Sequence, residues 1–276
     1  MPAQGVEAAV RWRGWRSSAF VAVLLIAVAS GCSDPEPGVV PRPDGESPTS
    51  AASPDLSDAD LWLDFEVPSQ TLEGDTEYPD ALGGAFGGRV VTANGGTIEV
   101  VPGVDDAGEA VAFPEKCVAA TECPRAMVEI LPHPALDVGR SDFEFGAAVW
   151  LAPDQATPGS NIMQKGRFAT DGGLWKLQVD SEEGQPSCVV RSGEDEPVIA
   201  RSSASITDST WHRVVCRRDA TGVSIRVDDM VDREDGATGS VDSEWPVRIG
   251  SPGVGDQDDQ FHGRIDDVFL RVDPPA

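Results

Sequence analysis

The sequence has 276 residues and a formal net charge of −26 at pH 7. A surface this acidic repels the phosphates of nucleic acids, so we exclude a nucleic-acid-binding function. The same charge attracts divalent cations, but it does not by itself identify a metal site.

The first 32 residues have the features of an export signal. Arg11, Arg13 and Arg16 form a basic region, and residues 19–29 form an apolar run that is too short to span a bilayer. Small residues then precede Cys32, a pattern that resembles the lipobox of bacterial lipoproteins, whose cysteine accepts a diacylglycerol. We therefore expect residues 1–32 to be a lipoprotein signal peptide and Cys32 to be the lipidation site. The alternative is an ordinary secretory signal that contains a cysteine.

Residues 33–60 are rich in Pro, Asp, Glu, Ser and Ala and contain almost no residues that could form a core. This composition predicts a disordered linker that holds the following segment clear of the membrane. The remaining segment, residues 61–276, is long enough for one β-sandwich with a full core.

Short apolar runs separated by Gly, Pro, Asp and Ser clusters fill residues 61–276. Phe143, Phe145, Ala147 and Val149 alternate with other residues, as in a strand with one buried face. No segment shows a sustained helical period, so the sequence predicts an all-β sandwich of two sheets. The predicted strands are 61–66, 89–93, 97–101, 110–113, 127–131, 143–151, 161–165, 174–179, 187–191, 211–217, 223–227, 247–250 and 263–272.

Four cysteines follow Cys32 in the chain: Cys117, Cys123, Cys188 and Cys216. An even number of cysteines in an exported protein predicts disulfides, and three pairings are open. A metal site is the alternative, but the sequence has no Cys-x-x-Cys pair and no histidine at ligand spacing.

Six motifs resemble the laminin-G-like branch of the concanavalin A-like lectin/glucanase superfamily. The motifs, in chain order, are FEFGAAVWL (143–151), NIMQKGRF (161–168), LWKLQV (174–179), WHRVVCR (211–217), VSIRVDD (223–229) and FHGRIDDVFL (261–270). The resemblance implies an antiparallel jelly-roll sandwich with its ligand site in the loops at one rim. Residues 78–125 match nothing diagnostic, and Asp228-Asp229-Met230 stands where the family usually has Asp-Gly, so this turn must be of another type.

The resemblance also implies a disulfide pairing. Cys188 would bond to Cys216 from a neighbouring strand of the same sheet, and Cys117 would bond to Cys123 to close a small loop.

Catalytic patterns are missing from the sequence. The superfamily's glucanases place their carboxylates as Glu-x-Asp-x-x-Glu on one strand, and no predicted strand here has that spacing. His133, His212 and His262 lie in a Pro-His-Pro turn or inside the family motifs, so we expect structural roles for them. The sequence therefore predicts that the protein is not an enzyme.

In relatives, calcium is often held between the first and last strands or by the rim loops. Asp64 lies in the predicted first strand and Asp266 in the last, so these two are our candidate calcium ligands, with backbone carbonyls of residues 256–260 completing the shell. The alternative is that Asp266 accepts hydrogen bonds from backbone amides.

Tryptophans could stack on sugar rings. Trp245 lies where a loop enters a strand, so it is our candidate ligand-binding residue. The other four considered lie on strands with apolar neighbours and are expected in the core: Trp62, Trp150, Trp175 and Trp211.

Together these patterns predict an exported protein that is anchored to the membrane through the lipid on Cys32, with its domain facing outside. The domain is expected to bind an extracellular glycan or protein. The alternatives are a structural or accessory module of the cell envelope and a divergent carbohydrate-active enzyme.

Overall fold

The computed structural model describes residues 55–66, 71–72, 77–84, 86–118, 122–167, 172–193 and 195–273. The predicted signal peptide, Cys32 and most of the predicted linker lie outside these ranges. Residues 49–276 form one compact unit. No helix in the described ranges has the length and apolar character needed to cross a membrane.

The described chain is made of strands and three one-turn 3-10 helices. The strands, numbered in chain order, are β1 (Leu61–Leu63), β2 (Thr71–Leu72), β3 (Glu77–Pro79), β4 (Gly87–Ala93), β5 (Ile98–Pro102), β6 (Glu109–Ala112), β7 (Arg125–Ile130), β8 (Phe143–Trp150), β9 (Asn161–Lys165), β10 (Leu174–Val179), β11 (Pro186–Arg191), β12 (Val198–Arg201), β13 (Trp211–Asp219), β14 (Gly222–Val227), β15 (Met230–Asp235), β16 (Val247–Ile249) and β17 (Arg264–Val272). The 3-10 helices are Val104–Asp106, Pro134–Leu136 and Pro153–Gln155.

These strands form two antiparallel sheets, which confirms the predicted all-β sandwich. In the described residues, the nine-stranded sheet has the order β15-β14-β13-β8-β17-β6-β5-β2, with β1 also paired to β17. The eight-stranded sheet has the order β12-β11-β10-β9-β16-β7-β4-β3. The first and last strands are neighbours, as expected, because Leu61 pairs with Leu270.

The core lies between the two sheets and is built from alternate residues of each strand. Phe143, Phe145, Ala147 and Val149 of β8 all face it. The ring of Phe145 lies 4.6 Å from that of Trp175, which comes from the opposite sheet. Large apolar and aromatic side chains that interdigitate in this way supply most of the stabilisation of a sandwich.

Both disulfides implied by the resemblance are present. Cys117 bonds to Cys123, and Cys188 bonds to Cys216, each with a Cα–Cα distance of 5.7 Å. The expectation that Cys188 and Cys216 are neighbours within one sheet is wrong. Cys188 lies in β11 of the eight-stranded sheet and Cys216 in β13 of the nine-stranded sheet, because both side chains point inward and meet across the core.

The sequence did not predict four strands: β2, β3, β12 and β15. The β15 strand illustrates the reason, since its residues are mostly exposed and charged and therefore lack an apolar alternation. It pairs with β14 through a two-residue turn in which Asp228 adopts a positive φ of 51°. Asp228 is held there because its Oδ1 accepts a hydrogen bond from the Arg213 N–H at 2.8 Å.

The packed chain begins before residue 61, where the linker was expected to end. Leu56 is buried against Val215 and Phe269 on the outer side of the nine-stranded sheet, and Trp62 packs beside them. The Asp60 N–H also donates to the Leu270 carbonyl at 2.8 Å. The last residues of the predicted linker therefore belong to the domain, since one buried leucine is enough to dock a short segment.

Candidate functional site

One row of directly paired residues crosses five strands of the nine-stranded sheet. We call it the cross-sheet row, and it consists of Glu99 (β5), Ala112 (β6), Arg264 (β17), Trp150 (β8) and Trp211 (β13). Residues next to these along the strands, such as Val149 and Ile265, belong to the core. Because successive side chains of a strand point to opposite faces, the cross-sheet row faces outward.

Two cavities lie along the cross-sheet row and share Trp150 and Arg264. The larger has a volume of about 470 Å³ and the smaller about 370 Å³. The larger cavity extends over β5 and β6 to the segments 113–115 and 152–155. The smaller is bounded by Trp211, the loop before it, and Asp105 and Asp106 of a 3-10 helix.

Arg264 and Trp150 form the boundary between the two cavities. The guanidinium carbon of Arg264 lies 4.5 Å from the centre of the Trp150 ring, which is a cation–π contact. Both residues are half-buried. The contact places the indole beside a cation and between the two cavities, an arrangement that suits a polar ligand with an apolar face.

His262 lines the larger cavity and is held by a hydrogen bond to the backbone. Its Nδ1–H donates to the Pro114 carbonyl at 2.7 Å, so Nδ1 carries the proton. Burial lowers the pKa of His262, and the ring is therefore neutral at pH 7. This geometry agrees with the structural role expected for the residue.

His212 supports the loop that borders the smaller cavity. Its Nδ1 lies 2.8 Å from Asp228 Oδ2 and its Nε2 lies 3.0 Å from Asp208 Oδ1. Burial alone would lower the pKa of His212, but the hydrogen bonds to the two aspartates outweigh it, so the pKa is raised. The ring thus links the loop at residue 208 to the β14–β15 turn.

Asp266 faces outward two residues after Arg264, at the point where the neighbour of β17 changes from β6 to β1. It is 7% exposed, and its carboxylate accepts hydrogen bonds from the backbone N–H groups of Asp267 at 2.7 Å and Val104 at 3.4 Å. Burial, followed by the nearby charge of Asp267, raises the pKa of Asp266 to about 7. These contacts are the ones expected if Asp266 caps backbone amides.

The predicted calcium ligands do not share a contact in this arrangement. Asp64 follows the end of β1, where its Oδ1 accepts the Glu66 N–H at 3.3 Å. The carbonyls of Asp256 and Asp258, expected to complete the shell, accept hydrogen bonds from Arg125 at 2.9 and 2.8 Å. Across the described parts of the chain, no three His, Cys, Asp or Glu side chains form a group that could hold a metal ion.

Trp245 lies on the other side of the molecule, just before β16 of the eight-stranded sheet. The guanidinium carbons of Arg167 and Arg248 lie 5.5 and 5.6 Å from its ring centre, and the ring is half-buried. The two arginines therefore cover part of the Trp245 ring, as Arg264 covers part of the Trp150 ring, and neither cavity described above is lined by Trp245.

The prediction that four tryptophans lie in the core is right only for Trp175. Trp150 and Trp211 are half-buried in the cross-sheet row, and Trp62 packs in the small cluster around Leu56. The sequence contained the signal for Trp150, because Phe143, Phe145, Ala147 and Val149 face the core and the next residue must face outward. The two-residue alternation therefore predicts the burial of a tryptophan on a strand better than the apolar character of its neighbours in sequence does.

The sequence matches a family model, Laminin_G_3, described as "Concanavalin A-like lectin/glucanases superfamily", over residues 131–270. The match covers all six motifs from residue 143 onward and confirms the resemblance drawn from them. No curated protein matches the sequence.

Several solved structures are similar in fold. The binding domain of Paraclostridial Mosquitocidal Protein 1 aligns with a TM-score of 0.54 and 13% identity, over 80% of this chain and 51% of that one. Domain 4 of AbnA, a GH43 extracellular arabinanase from Geobacillus stearothermophilus, solved with arabinotriose, aligns with a TM-score of 0.55 and 16% identity, over 77% and 91%. The binding domain of botulinum neurotoxin DC, solved with SialylT, aligns with a TM-score of 0.53 and 12% identity, over 79% and 48%.

The chain therefore spans about half of the length of two of these three structures. At such identities the similarity shows the fold. The neighbours are mainly binding domains, and one is a domain of a glycoside hydrolase.

Proposed function

Because the chain belongs to the concanavalin A-like lectin/glucanase superfamily, we propose that its sandwich is a non-catalytic binding module for an extracellular glycan or protein. The proposed site is the outward face of the nine-stranded sheet around Trp150, Trp211 and Arg264. The observation that carries the proposal is the pair of cavities that meet at the Arg264–Trp150 contact.

The geometry of this face supports ligand binding. An indole ring offers a flat apolar surface that matches the apolar face of a pyranose, while the flanking backbone and carboxylates can hydrogen-bond to hydroxyl groups. Trp150 and Trp211 are direct cross-strand partners, so their side chains leave the same face of two hydrogen-bonded strands. A site on paired strands keeps its geometry better than one on loops alone.

The similar structures support the same class of function. They include an arabinanase domain solved with arabinotriose and neurotoxin binding domains solved with SialylT or with rat synaptotagmin II. Domains of this fold therefore carry glycan and protein ligands, and we extend that class to this chain.

The carboxylates of the larger cavity favour binding over hydrolysis. Glu99, Glu115 and Asp154 come from a strand, a loop and a 3-10 helix, and all three are exposed. A glycosidase acid needs a carboxyl whose pKa is raised, commonly by burial, beside a second carboxylate at fixed distance. The aspartate whose pKa is raised to about 7, Asp266, accepts two backbone hydrogen bonds instead.

We also infer that the domain functions outside the cell membrane. Two disulfides indicate an oxidising compartment. The lipobox-like pattern at Cys32 supports anchoring through a lipid, and the acidic linker would keep the domain at a distance from the membrane.

A combined glycan and matrix-protein array tests the proposal. The chain would carry Cys32→Ala to remove the predicted lipid acceptor, and its hits would be measured again with Trp150→Ala and with Trp245→Ala. We expect Trp150→Ala to weaken the leading hits by about tenfold or more, as for an aromatic hot spot, and Trp245→Ala to leave them unchanged. A chain that is folded by circular dichroism yet binds no glycan or protein would favour a structural module of the envelope.

A further inference from the structure

The two cavities beside Trp150 are bordered mainly by acidic side chains. Glu99, Glu115 and Asp154 line the larger cavity, and Asp105 and Asp106 line the smaller. All five of these side chains are exposed to solvent.

Among the described residues that line the two cavities, one side chain is a cation. That cation is Arg264, and its guanidinium lies on the Trp150 ring, where the face of the indole already stabilises it. His262, the other basic group in the larger cavity, is neutral for the reason given above. The described residues that line the two cavities therefore carry five carboxyl groups and one guanidinium, so their net charge is negative, while Lys116 and Arg125 add positive charge near His262.

A negative field discriminates between ligands of similar shape. Low-dielectric cavity walls focus the field of the lining charges, so a carboxylated or sulfated sugar is repelled and a protonated amine is attracted. The aromatic rings do not make this distinction, because stacking depends on the apolar ring face that all pyranoses share.

We propose that the cavities around Trp150 and Arg264 bind a saccharide that carries protonated amino groups and exclude acidic saccharides. The inference rests on the proposed binding function and adds the charge class of its ligand. Glu99, Asp106 and Asp154 are the carboxylates assigned to the amino groups, since they line the cavities from three different elements, β5 and two of the 3-10 helices.

Three hexasaccharides of the same linkage provide the test, because they differ mainly in charge. They are the β-1,4-linked hexamers of glucosamine, N-acetylglucosamine and glucuronic acid, and each is titrated by calorimetry into the Cys32→Ala chain below the pKa of the glucosamine amino groups. We expect the glucosamine hexamer to bind most tightly, the N-acetylglucosamine hexamer more weakly, and the glucuronic acid hexamer not at all. Raising the salt to about 1 M, where the Debye length is about 3 Å, should remove most of the difference between the first two.

Charge variants show where the discrimination arises. The triple variant Glu99→Gln, Asp106→Asn, Asp154→Asn should weaken binding of the glucosamine hexamer about tenfold more than it weakens binding of the N-acetylglucosamine hexamer. The control is Glu182→Gln, Glu183→Gln, Glu234→Gln, which removes the same charge from exposed positions that do not line either cavity. An equal loss in the control would mean that the polycation binds the acidic surface at large, and would overturn the inference.

The remaining outcomes separate this inference from the proposed function. A glucosamine hexamer that fails to bind, or a glucuronic acid hexamer that binds equally well, overturns the charge class. If array ligands still lose affinity with Trp150→Ala in that case, the proposed binding site stands. If no array ligand depends on Trp150, the site itself is wrong.

Discussion

Cys188 and Cys216 are bonded across the interior of the sandwich and join its two sheets, with their Cα atoms 5.7 Å apart. Both side chains are fully buried. The chain segment that this bond closes begins in the eight-stranded sheet, passes through β12 and ends in the nine-stranded sheet. It therefore ties together the two layers that enclose the core.

Removing this bond should destabilise the domain more than removing the small loop bond. By chain entropy, Cys188→Ala with Cys216→Ala should lower the free energy of unfolding by about 3 to 4 kcal/mol, and Cys117→Ala with Cys123→Ala by about 2 to 2.5 kcal/mol. Urea unfolding of both double variants measures the difference. Two variants with equal stability would contradict the ranking, and non-reducing peptide mapping of the parent protein would show whether both bonds form.

His212 should make the stability of the domain depend on pH. Because the pKa of the folded His212 is raised above the unfolded value of about 6.5, its contribution is fully present below that value and is lost as pH rises through the folded pKa. NMR titration of the imidazole should give a pKa above 6.5, and Asp208→Asn should lower it. Asp229→Asn, at an exposed position beside Asp228, is the control and should leave the titration unchanged. A His212 pKa below 6.5 in the parent protein would refute the ion-pair interpretation.

Calcium binding at Asp64 and Asp266 stays a prediction of the sequence. If calcium binds, millimolar calcium should raise the melting temperature by several degrees, because a ligand at a hundredfold excess over Kd stabilises the folded state by about 2.7 kcal/mol. Asp266→Ala should remove most of that response. Melting curves that coincide in calcium and in chelator would leave Asp266 with the backbone-capping role that its contacts to Val104 and Asp267 describe.

Lipidation of Cys32 predicts membrane association of the full chain. Cys32→Ala should release the protein from the membrane fraction or block processing of the signal peptide. The acidic linker provides no second acyl anchor that could replace the lipid on Cys32. Cell fractionation followed by washing without detergent measures the effect. A Cys32→Ala protein that is still cleaved and still remains entirely with the membranes would contradict the prediction.

The pattern of strands was accessible from the sequence wherever a strand has one buried face. The alternation from Phe143 to Val149 placed β8 correctly, because burial selects apolar residues at every second position. Strand β15 escaped detection, since an exposed edge strand is stabilised by backbone hydrogen bonds to β14 and needs no apolar alternation. The buried Leu56 was missed for a related reason, because a single apolar residue in a polar segment gives no periodic signal.

By itself, the sequence determined the all-β class, the superfamily and the candidate export signal, because these depend on local composition, two-residue alternation and short motifs. Only the tertiary structure decided which side chains share a site. Glu99, Ala112, Arg264, Trp150 and Trp211 are distant in sequence and meet because the strand order and register bring them into one row. The same long-range pairing placed Trp245 against two arginines, because the distance between side chains in a sandwich depends on strand pairing that no local pattern encodes.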